Sequence, residues 1–255
     1  MTWGKGQEAR GKSTCHMSPF TAHVLLFNVP LRHMKYYTGN IIPTTIDAGQ
    51  QKLLDEGRLL PLMEEFYTIQ GEGFHTGKPA YFIRLGGCDV GCHWCDVKES
   101  WDANTHPLTP SDNIVLNAMQ YPAKAVVVTG GEPSAFNLDY LTTELKKNGI
   151  LTFLETSGSY PITGIFDWIC LSPKKTMPPQ AENFKRAHEL KVIIHNKDDF
   201  KWAEENAEKM NEDSLFYLQP EWSRAKEMMP LIVEYVMKNP KWNISLQTHK
   251  YMNIP

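Results

Sequence analysis

The sequence lacks a long hydrophobic run, and it lacks a surplus of charge of either sign. No apolar stretch approaches the ~20 residues that a membrane-spanning helix needs, so no spanning segment is expected. The apolar stretch Val24–Leu31 is short, and because it contains Asn28 and Pro30 it is also a poor secretory signal. The chain has 26 Lys+Arg and 29 Asp+Glu residues, a formal charge of −3. Without a basic surplus, neither nucleic acid nor an anionic membrane is a predicted partner.

Cysteine is scarce, with five residues in the chain of 255, and the count is odd. Three of the five lie close together in the segment Cys88–Cys95. Such crowding is typical of a metal or cluster site in a reducing compartment and not of a disulfide framework. The sequence therefore predicts a cytoplasmic protein, in which Cys170 is a core thiol rather than a ligand.

The chain divides into two unequal parts. Residues 1–49 show no lasting hydrophobic period, and Gly, Thr, Ser and Pro recur in them, so we predict a poorly ordered N-terminal extension. Residues 50–255 are predicted to form a single domain, in which short β-prone runs alternate with helical segments. Alternation of this kind indicates an α/β fold with a mainly parallel sheet.

The β-prone runs and the helical segments have definite positions. The predicted strands are Ala80–Leu85, Ala125–Thr129, Ile150–Glu155, Trp168–Ser172, Leu190–His195, Leu215–Gln219 and Trp242–Gln247. The predicted helices are Asn137–Asn148, Lys197–Met210 and Arg224–Met237, with Gly149 suited to a helix C-terminus. About six strand–helix units fit into this length, too few for the eight of a closed (β/α) barrel. The sequence therefore predicts an open, partial (β/α) barrel.

Small, polar and ionisable residues follow several of these strands. The segments are Gly86–Cys88, Thr129–Pro133, Glu155–Gly158, Ser172–Lys174 and Gln219–Pro220. In (β/α) barrels the carboxyl ends of the strands form the face on which chemistry is built. We therefore expect the active site at this end of the predicted sheet.

The clustered cysteines have the spacing Cys-x3-Cys-x2-Cys, at Cys88, Cys92 and Cys95. Three thiolates on one tight loop can hold three corners of a metal centre, and soft sulfur ligands favour iron–sulfur clusters or zinc. A structural zinc site needs four ligands, so it would require His93 or a distant residue. A 4Fe–4S cluster held by three cysteines would instead leave one iron open to a small molecule. Both alternatives remain open on the spacing alone.

A second motif, Thr129-Gly130-Gly131-Glu132-Pro133, follows a run of β-branched residues. Its two glycines allow the backbone to approach a ligand closely, and its carboxylate can pair with an ammonium group. Together the two motifs resemble the radical S-adenosylmethionine superfamily. The resemblance implies a 4Fe–4S cluster on Cys88, Cys92 and Cys95, with an open iron that binds the amino and carboxylate groups of S-adenosylmethionine.

Further segments narrow the resemblance to one family. They are Phe66–Gly73, Arg84–Cys88, Cys95–Asp96, Glu155–Gly158, Ser172–Lys174, Gln219–Pro220 and the tail from Gln247 to Pro255. In this combination the chain resembles the 7-carboxy-7-deazaguanine synthase family. The resemblance implies a radical lyase that converts 6-carboxy-5,6,7,8-tetrahydropterin to 7-carboxy-7-deazaguanine with loss of ammonia, on the route to queuosine and related 7-deazapurines.

The resemblance also implies roles for individual residues. The substrate would contact Ile69, Gln70, Gly71, Arg84, Thr129 and Pro255, with Arg84 gripping its carboxylate and Glu72 assisting. The S-adenosylmethionine site would be lined by Trp94, Cys95, Asp96, Gly131, Ser172, Pro173, Lys174, Gln219, Pro220, Glu221 and Trp222. No catalytic residue is implied beyond the cluster and the cofactor.

Position 97 departs from the family pattern. The family has a threonine after the Cys-Asp pair, and the threonine hydroxyl ligates a magnesium ion that also binds the substrate carboxylate. This chain has Val97, which offers no ligand atom. Because magnesium prefers oxygen ligands and keeps several waters, two outcomes remain. The ion is held through water and substrate, or it is lost and Lys98 or Arg84 offsets the carboxylate charge.

The implied partners are a small pterin, an electron donor such as flavodoxin or ferredoxin, and a second copy of the chain in a homodimer. Two alternatives use the same cysteine loop. An activase that installs a glycyl radical on a partner enzyme would not need the set Gln70, Arg84 and Pro255. A zinc-stabilised binding module without catalysis would need only the loop and a fourth ligand.

Overall fold

The computed structural model describes residues 40–255, and nine β-strands form one sheet within them. In chain order they are β1 (Leu59–Ile69), β2 (Pro79–Leu85), β3 (Leu108–Pro110), β4 (Ala125–Gly130), β5 (Leu151–Thr156), β6 (Trp168–Leu171), β7 (Glu189–Ile194), β8 (Leu215–Pro220) and β9 (Trp242–Ile244). Their order in the sheet is β3-β1-β2-β4-β5-β6-β7-β8-β9. Neighbouring strands from β2 to β9 are parallel, whereas β1 is antiparallel to both β2 and β3. The sheet of the described residues is open, with β3 and β9 at its edges.

Seven α-helices accompany the sheet in the same part of the chain. They are α1 (Ala48–Asp55), α2 (Ser111–Met119), α3 (Asp139–Lys147), α4 (Ala181–Arg186), α5 (Asp198–Ala207), α6 (Ala225–Lys238) and α7 (Thr248–Met252). Helix α3 packs on β5, α5 on β7, and α6 on β8 and β9. Within residues 40–255, no helix combines the length and the apolar character that crossing a bilayer requires.

The two faces of the sheet carry different side chains. In β4, Val126 and Val128 are buried in the large core that the helices cover, whereas Val127 belongs to a small apolar cluster with Ala80 and Phe82 on the other face. Alternate residues of a strand share a face. The inner face that Val127 and Phe82 occupy therefore continues to Thr129 on β4 and to the next alternate residue of β2, Arg84, at the carboxyl ends.

The structure confirms the open, mainly parallel α/β sheet, and it adds the antiparallel strands β1 and β3. Strand β1 contains Pro61 and the pair Glu64 and Glu65, and its register with β2 shifts between Leu62 and Glu64. A bulge of this kind breaks the alternation by which a strand is recognised in a sequence. The sheet predicted from the sequence therefore lacked β1, and its first strand was β2.

Most of the predicted extension, residues 1–39, lies outside the described residues and stays a prediction. Residues 40–49 are described, and they contact the domain. The side chains of Ile42 and Ile46 pack against the large core. Helix α1 begins at Ala48 behind a capping box, in which Asp47 Oδ1 accepts from the Gln50 amide at 2.8 Å and the Gln50 side chain accepts from the Asp47 amide at 3.1 Å.

Candidate active site

A cavity of about 960 Å³ opens where the parallel strands end. Its wall contains the residues that the sequence analysis assigned to cluster, cofactor and substrate, with the exception of Pro173. Pro173 is buried beside Ser172 and Lys174, which do line the cavity. Residues as far apart in the chain as Ile69 and Pro255 therefore meet at one site, which has the size of a typical small-molecule pocket.

The three cysteines of the Cys-x3-Cys-x2-Cys motif lie on the loop that follows β2. The Cys88 amide donates to the carbonyl of Trp101 at 3.0 Å, and the Cys95 amide donates to the carbonyl of Cys92 at 3.1 Å. Cys88 is buried, and Cys92 and Cys95 are half-buried. Burial raises the pKa of the Cys88 and Cys92 thiols. Thiolates are therefore favoured here only when a bound metal offsets their charge.

The two glycines after β4 fit against the start of this cysteine loop. The Gly131 amide donates to the carbonyl of Leu85 at 2.9 Å. A Cβ atom at Gly131 would overlap the carbonyl oxygen of Gly87, and one at Gly130 would overlap that of Leu85. Gly130 also has a φ of +147°, which side chains disfavour. Glycine is therefore required at both positions for the close approach of the turn to the cysteine loop.

Glu132 of the same turn is a structural carboxylate. It is 1% exposed. Its Oε1 accepts from the Ser134 amide at 3.0 Å, from the Ser134 hydroxyl at 2.7 Å and from the Thr156 hydroxyl. Its Oε2 accepts from the amide of Ser157 at 2.8 Å and from the Ser157 hydroxyl. Glu132 thus joins the end of β4 to the end of β5, and the ammonium group that the sequence suggested as its partner is replaced by protein donors.

Because the acceptor capacity of Glu132 is engaged by buried donors, Glu132→Gln is expected to destabilise the protein. The amide nitrogen of glutamine would face the Ser157 donors or the Ser134 donors, and the loss is expected to be about 2–3 kcal/mol. That corresponds to a fall of about 4–12 °C in the melting temperature of a domain of this size. Thermal unfolding measures it, with Glu212→Gln as the matched change at an exposed position. Equal melting temperatures for the two variants would contradict the structural role.

Arg84 and Thr129 are paired across β2 and β4 on the inner face of the sheet. The Nε of Arg84 donates to Glu64 Oε1 at 2.6 Å, and the Arg84 side chain is 19% exposed. Its guanidinium group has four further N–H donors, on the two Nη atoms. The ion pair with Glu64 therefore fixes the guanidinium at the cavity wall while leaving donors for an anionic ligand.

An ion-pair network around the buried Lys191 also lines the cavity. Lys191 Nζ donates to Glu72 Oε2 at 2.6 Å and to Glu155 Oε2 at 2.9 Å. Gln70 Nε2 donates to Glu155 Oε1 at 3.2 Å, and Gln247 Nε2 donates to Glu72 Oε1 at 2.9 Å. Burial alone would raise the pKa of Glu72, but the charge of Lys191 and the hydrogen bonds from Lys191 and Gln247 lower it to about 2.

The last eight residues of the chain complete the wall. The amide of Thr248 donates to the carbonyl of Gly71 at 2.9 Å, and the Thr248 hydroxyl donates to the same oxygen at 3.0 Å. His249 packs so closely on Gly71 that a Cβ there would overlap its ring. At the end of the chain, the carbonyl oxygen of Pro255 accepts from the Thr68 hydroxyl at 3.4 Å. The C-terminal segment therefore lies over β1 and the loop that follows it.

The segments after β6 and β8 also form part of the cavity wall. Lys174 Nζ donates to the carbonyl and the hydroxyl of Ser172 at 2.6 Å and 2.8 Å. Glu221 Oε1 accepts from the amide of Ser223 at 3.0 Å and thereby caps the short 3-10 helix Trp222–Arg224. These contacts fix the side chains of a lysine and a glutamate that line the same cavity as the cysteine loop.

Comparison with known proteins decides which family this site belongs to. A 7-carboxy-7-deazaguanine synthase from Flavobacterium psychrophilum is 62% identical over 205 residues, covering 80% of this chain and 97% of that protein. The chain belongs to the 7-carboxy-7-deazaguanine synthase family. A relative of the same name from Synechocystis is 47% identical, covering 76% of this chain and 93% of its own. No family model matches the chain.

A solved structure supports the same assignment. The chain matches a structure described as QueE from Escherichia coli with a TM-score of 0.68 and 29% sequence identity, over 78% of this chain and 99% of that one. The Escherichia coli protein among the sequence relatives carries the name 7-carboxy-7-deazaguanine synthase and is 34% identical to this chain. Sequence and structural similarity therefore agree on a radical S-adenosylmethionine enzyme.

The cysteine loop of this chain suits a 4Fe–4S cluster. Among residues 40–255, no three His, Cys, Asp or Glu side chains converge on the position of a single ion. A cluster does not require such convergence, because each of its irons takes one thiolate, whereas zinc binds all its ligands at about 2.0–2.3 Å. His93, the alternative fourth ligand, is exposed and stacks edge-on with Trp94, with ring centroids 4.3 Å apart.

The residues around Val97 do not fit a magnesium ion held by the protein. Val97 lines the cavity but has no oxygen, and the neighbouring carboxylate of Asp96 is paired with Lys250 Nζ at 3.0 Å. Lys98, one of the two cations considered for the substrate carboxylate, lies 5.9 Å over the ring of Trp101. It is not part of the cavity wall, whereas Arg84 is.

Several residues of the cavity escaped the sequence analysis, and Lys191 is the most informative of them. It lies in the middle of the apolar strand β7 and is 3% exposed. A lysine within a buried strand is unusual, because lysine is seldom fully buried without a partner. That signal was present in the sequence and could have marked the position. Its partners, Glu72 and Glu155, are 119 and 36 residues distant, so the pairing itself had no local signature.

Proposed function

We propose that this chain converts 6-carboxy-5,6,7,8-tetrahydropterin to 7-carboxy-7-deazaguanine with loss of ammonia, as a radical S-adenosylmethionine lyase. The observation that carries the proposal is that the three-thiol loop and the charged residues Arg84, Lys191, Glu72 and Glu155 line one and the same cavity. A cluster site alone suits the whole superfamily. The additional wall suits a small, polar, anionic substrate.

On the cofactor side, Cys88, Cys92 and Cys95 would hold the cluster, and Gly131 would offer its backbone to S-adenosylmethionine. When bound, the cluster and S-adenosylmethionine would supply the radical chemistry that abstracts hydrogen from the substrate. Nine further residues would line the cofactor, and Cys95 would be shared between the two roles: Trp94, Asp96, Ser172, Pro173, Lys174, Gln219, Pro220, Glu221 and Trp222. The protein positions both molecules and excludes water.

On the substrate side, Arg84 would bind the pterin carboxylate with the donors that Glu64 leaves free. A planar guanidinium group matches a carboxylate through two parallel hydrogen bonds. Ile69, Gln70, Gly71 and Thr129 would contact the ring system, with Pro255 closing the site from the end of the chain. Glu72 assists through its fixed carboxylate.

We further propose that Arg84, and not a protein-held magnesium ion, neutralises the substrate carboxylate in this chain. Removing magnesium with a chelator is then expected to lower the turnover rate by no more than about fivefold. That factor corresponds to ~1 kcal/mol, the upper range for an ionic interaction that solvent screens. The variant Val97→Thr regains a hydroxyl ligand and is expected to depend on magnesium more strongly than the wild type. Steady-state rates with and without the ion measure both.

Val97→Ala is the matched control for that comparison, because it changes the volume of residue 97 without adding an oxygen. It is expected to respond to magnesium as the wild type does. Loss of wild-type turnover on chelation, with the cluster intact, would contradict the proposal.

The partners and the compartment follow from the same chemistry. A cluster of this class must be reduced by one electron, which flavodoxin or ferredoxin would deliver. Free thiols such as Cys170 persist in a reducing compartment, which supports a cytoplasmic location. We also propose a homodimer, on the family resemblance alone.

Genetic complementation tests the function in a cell. The chain is expressed in a bacterial strain that lacks its own 7-carboxy-7-deazaguanine synthase, and queuosine is measured in the tRNA of that strain by mass spectrometry. Queuosine is expected to return with the wild-type chain. The matched control is Cys92→Ala at equal expression, which is expected not to restore it. Wild-type chain that carries a cluster and cleaves S-adenosylmethionine but restores no queuosine would favour an activase instead.

A further inference from the structure

The buried lysine of β7 connects three parts of the cavity wall. Lys191 is charged: burial alone would lower its pKa, but the acidic side chains around it raise the pKa well above its ordinary value. Its Nζ contacts one oxygen of Glu72 and one of Glu155. Glu72 comes from the loop after β1, and Glu155 from the end of β5. A single ammonium group therefore bridges two carboxylates that come from separate segments of the fold.

Two amide contacts close this bridge into a ring. The Gln70 side chain donates to Glu155 Oε1 at 3.2 Å, and its own oxygen accepts from the backbone amide of Glu72 at 3.2 Å. The oxygens of Glu72 accept from Gln247 and Lys191, those of Glu155 accept from Gln70 and Lys191, and the Cys170 thiol is a further partner of Glu155. A carboxylate offers about four acceptor sites. The ring therefore fixes both carboxylates and leaves acceptor sites on them for a ligand in the cavity.

The same ring reaches the end of the chain. Glu72 Oε1 accepts from Gln247 Nε2 at 2.9 Å, directly before the segment that rests on Gly71 and ends at Pro255. One of the contacts that hold the C-terminal segment at the cavity is therefore made to a carboxylate that Lys191 also binds. Of the lysines that line the cavity in residues 40–255, Lys174 bonds within its own loop and Lys250 pairs with Asp96 alone, whereas Lys191 bridges two carboxylates.

We propose that Lys191 is a positioning residue of the substrate site, which holds Glu72 and Glu155 as a fixed pair of carboxylate acceptors and, through Glu72 and Gln247, seats the C-terminal segment against the cavity. This assignment rests on the proposed function, because it concerns the pterin side of that same site. Loss of a purely structural ion pair would lower the stability of the fold without a specific effect on substrate binding, whereas loss of Lys191 is expected to weaken substrate binding.

The charges around Lys191 determine how its removal should act. Titratable groups from six elements surround Lys191 and its partners. They are Glu155 of β5, Cys170 of β6, Glu189 of β7, Tyr217 of β8, His249 of α7 and Glu72 of the loop after β1. Acidic groups dominate this set. Without the lysine, two buried carboxylates lie side by side, so one of them should take up a proton and lose an acceptor oxygen.

The experiment compares Lys191→Met with wild type in the reconstituted, reduced enzyme. For Lys191→Met we expect the KM for 6-carboxytetrahydropterin to rise at least about tenfold, with affinity for S-adenosylmethionine unchanged. We also expect kcat/KM of the variant to fall more steeply than that of the wild type as the pH is lowered, because a carboxyl group that has lost its lysine partner takes up a proton more readily. The matched control is Lys146→Met, which removes the ion pair of Lys146 with Asp167 outside the cavity. It is expected to keep the wild-type KM.

Gln247→Leu covers the case in which Lys191→Met does not fold. It breaks the link to the C-terminal segment while leaving the buried charges balanced, and it is expected to raise the pterin KM without changing S-adenosylmethionine affinity. A wild-type KM in both variants, or a pH-independent fall in kcat that follows lost stability, would overturn the assignment alone. Wild-type enzyme that cleaves S-adenosylmethionine but leaves the pterin intact would overturn the proposed function, and the assignment with it.

Discussion

Replacing Cys92 with alanine is expected to abolish turnover and the visible absorption of the cluster together. Cys92 is half-buried on the loop, so its truncation removes a ligand with less disturbance of packing than the loss of the buried Cys88. With two thiolates left, the loop cannot hold three irons of a 4Fe–4S cluster. Iron and sulfide content, the visible spectrum and 5′-deoxyadenosine formation measure the loss.

Cys170→Ala is the matched control, because Cys170 is the other cysteine among the described residues and lies outside the loop. It is expected to keep wild-type iron and sulfide content. If Cys92→Ala kept a full cluster while Cys170→Ala lost iron, the assignment of the ligands would be wrong. Retention of stoichiometric zinc in the wild type, with no iron after anaerobic reconstitution, would favour the binding-module alternative.

Replacing Arg84 with methionine is expected to lower kcat/KM for the pterin by about 10²–10³-fold, the range that follows the loss of one partner of a buried charge pair. Affinity for S-adenosylmethionine should not change, since Arg84 is not among the residues proposed to hold that molecule and its side chain is paired with Glu64. Methionine keeps much of the side-chain volume, so the change tests the guanidinium group. Steady-state kinetics and a separate binding measurement for S-adenosylmethionine separate the two effects.

Two controls make the Arg84 result specific. Arg58→Met removes a guanidinium that lies 4.2 Å over the ring of Tyr140, away from the cavity, and is expected to leave turnover unchanged. Arg84→Lys keeps the charge without the planar fork and is expected to fall between wild type and Arg84→Met. A tetrahydropterin without the 6-carboxylate should bind equally to wild type and Arg84→Met. If the wild type bound that analogue ten times more tightly than Arg84→Met does, Arg84 would not act through the substrate carboxylate.

The parts of the site that follow from local patterns could be predicted from the sequence. The three cysteines are close together in the chain, and the polar segments after β4, β5, β6 and β8 mark the carboxyl ends of parallel strands. Because those ends lie at one edge of a parallel sheet, the pattern places them at a common site before any distance is known. The cavity wall confirms this for the assigned residues apart from Pro173.

The parts that depend on distant pairing could not be predicted in this way. The Lys191–Glu72 ion pair joins residues 119 positions apart, and the contact of Gln247 with Glu72 joins residues 175 apart. Neither has a periodic or spacing signature. The motif alone suggested that Glu132 could pair with an ammonium group of a ligand. In the structure its carboxylate accepts hydrogen bonds from Ser134 in its own turn and from Ser157 after β5. Such contacts depend on tertiary packing and appear only in the folded structure.

An anaerobic turnover experiment tests the central claim most directly. Reconstituted, reduced protein is mixed with S-adenosylmethionine and 6-carboxy-5,6,7,8-tetrahydropterin, and the products are identified by mass spectrometry, with Cys92→Ala as the inactive control. The account predicts 7-carboxy-7-deazaguanine and ammonia in equal amounts, in the wild type alone. Cleavage of S-adenosylmethionine to 5′-deoxyadenosine with the pterin intact would contradict it, since the cluster site would then serve another substrate.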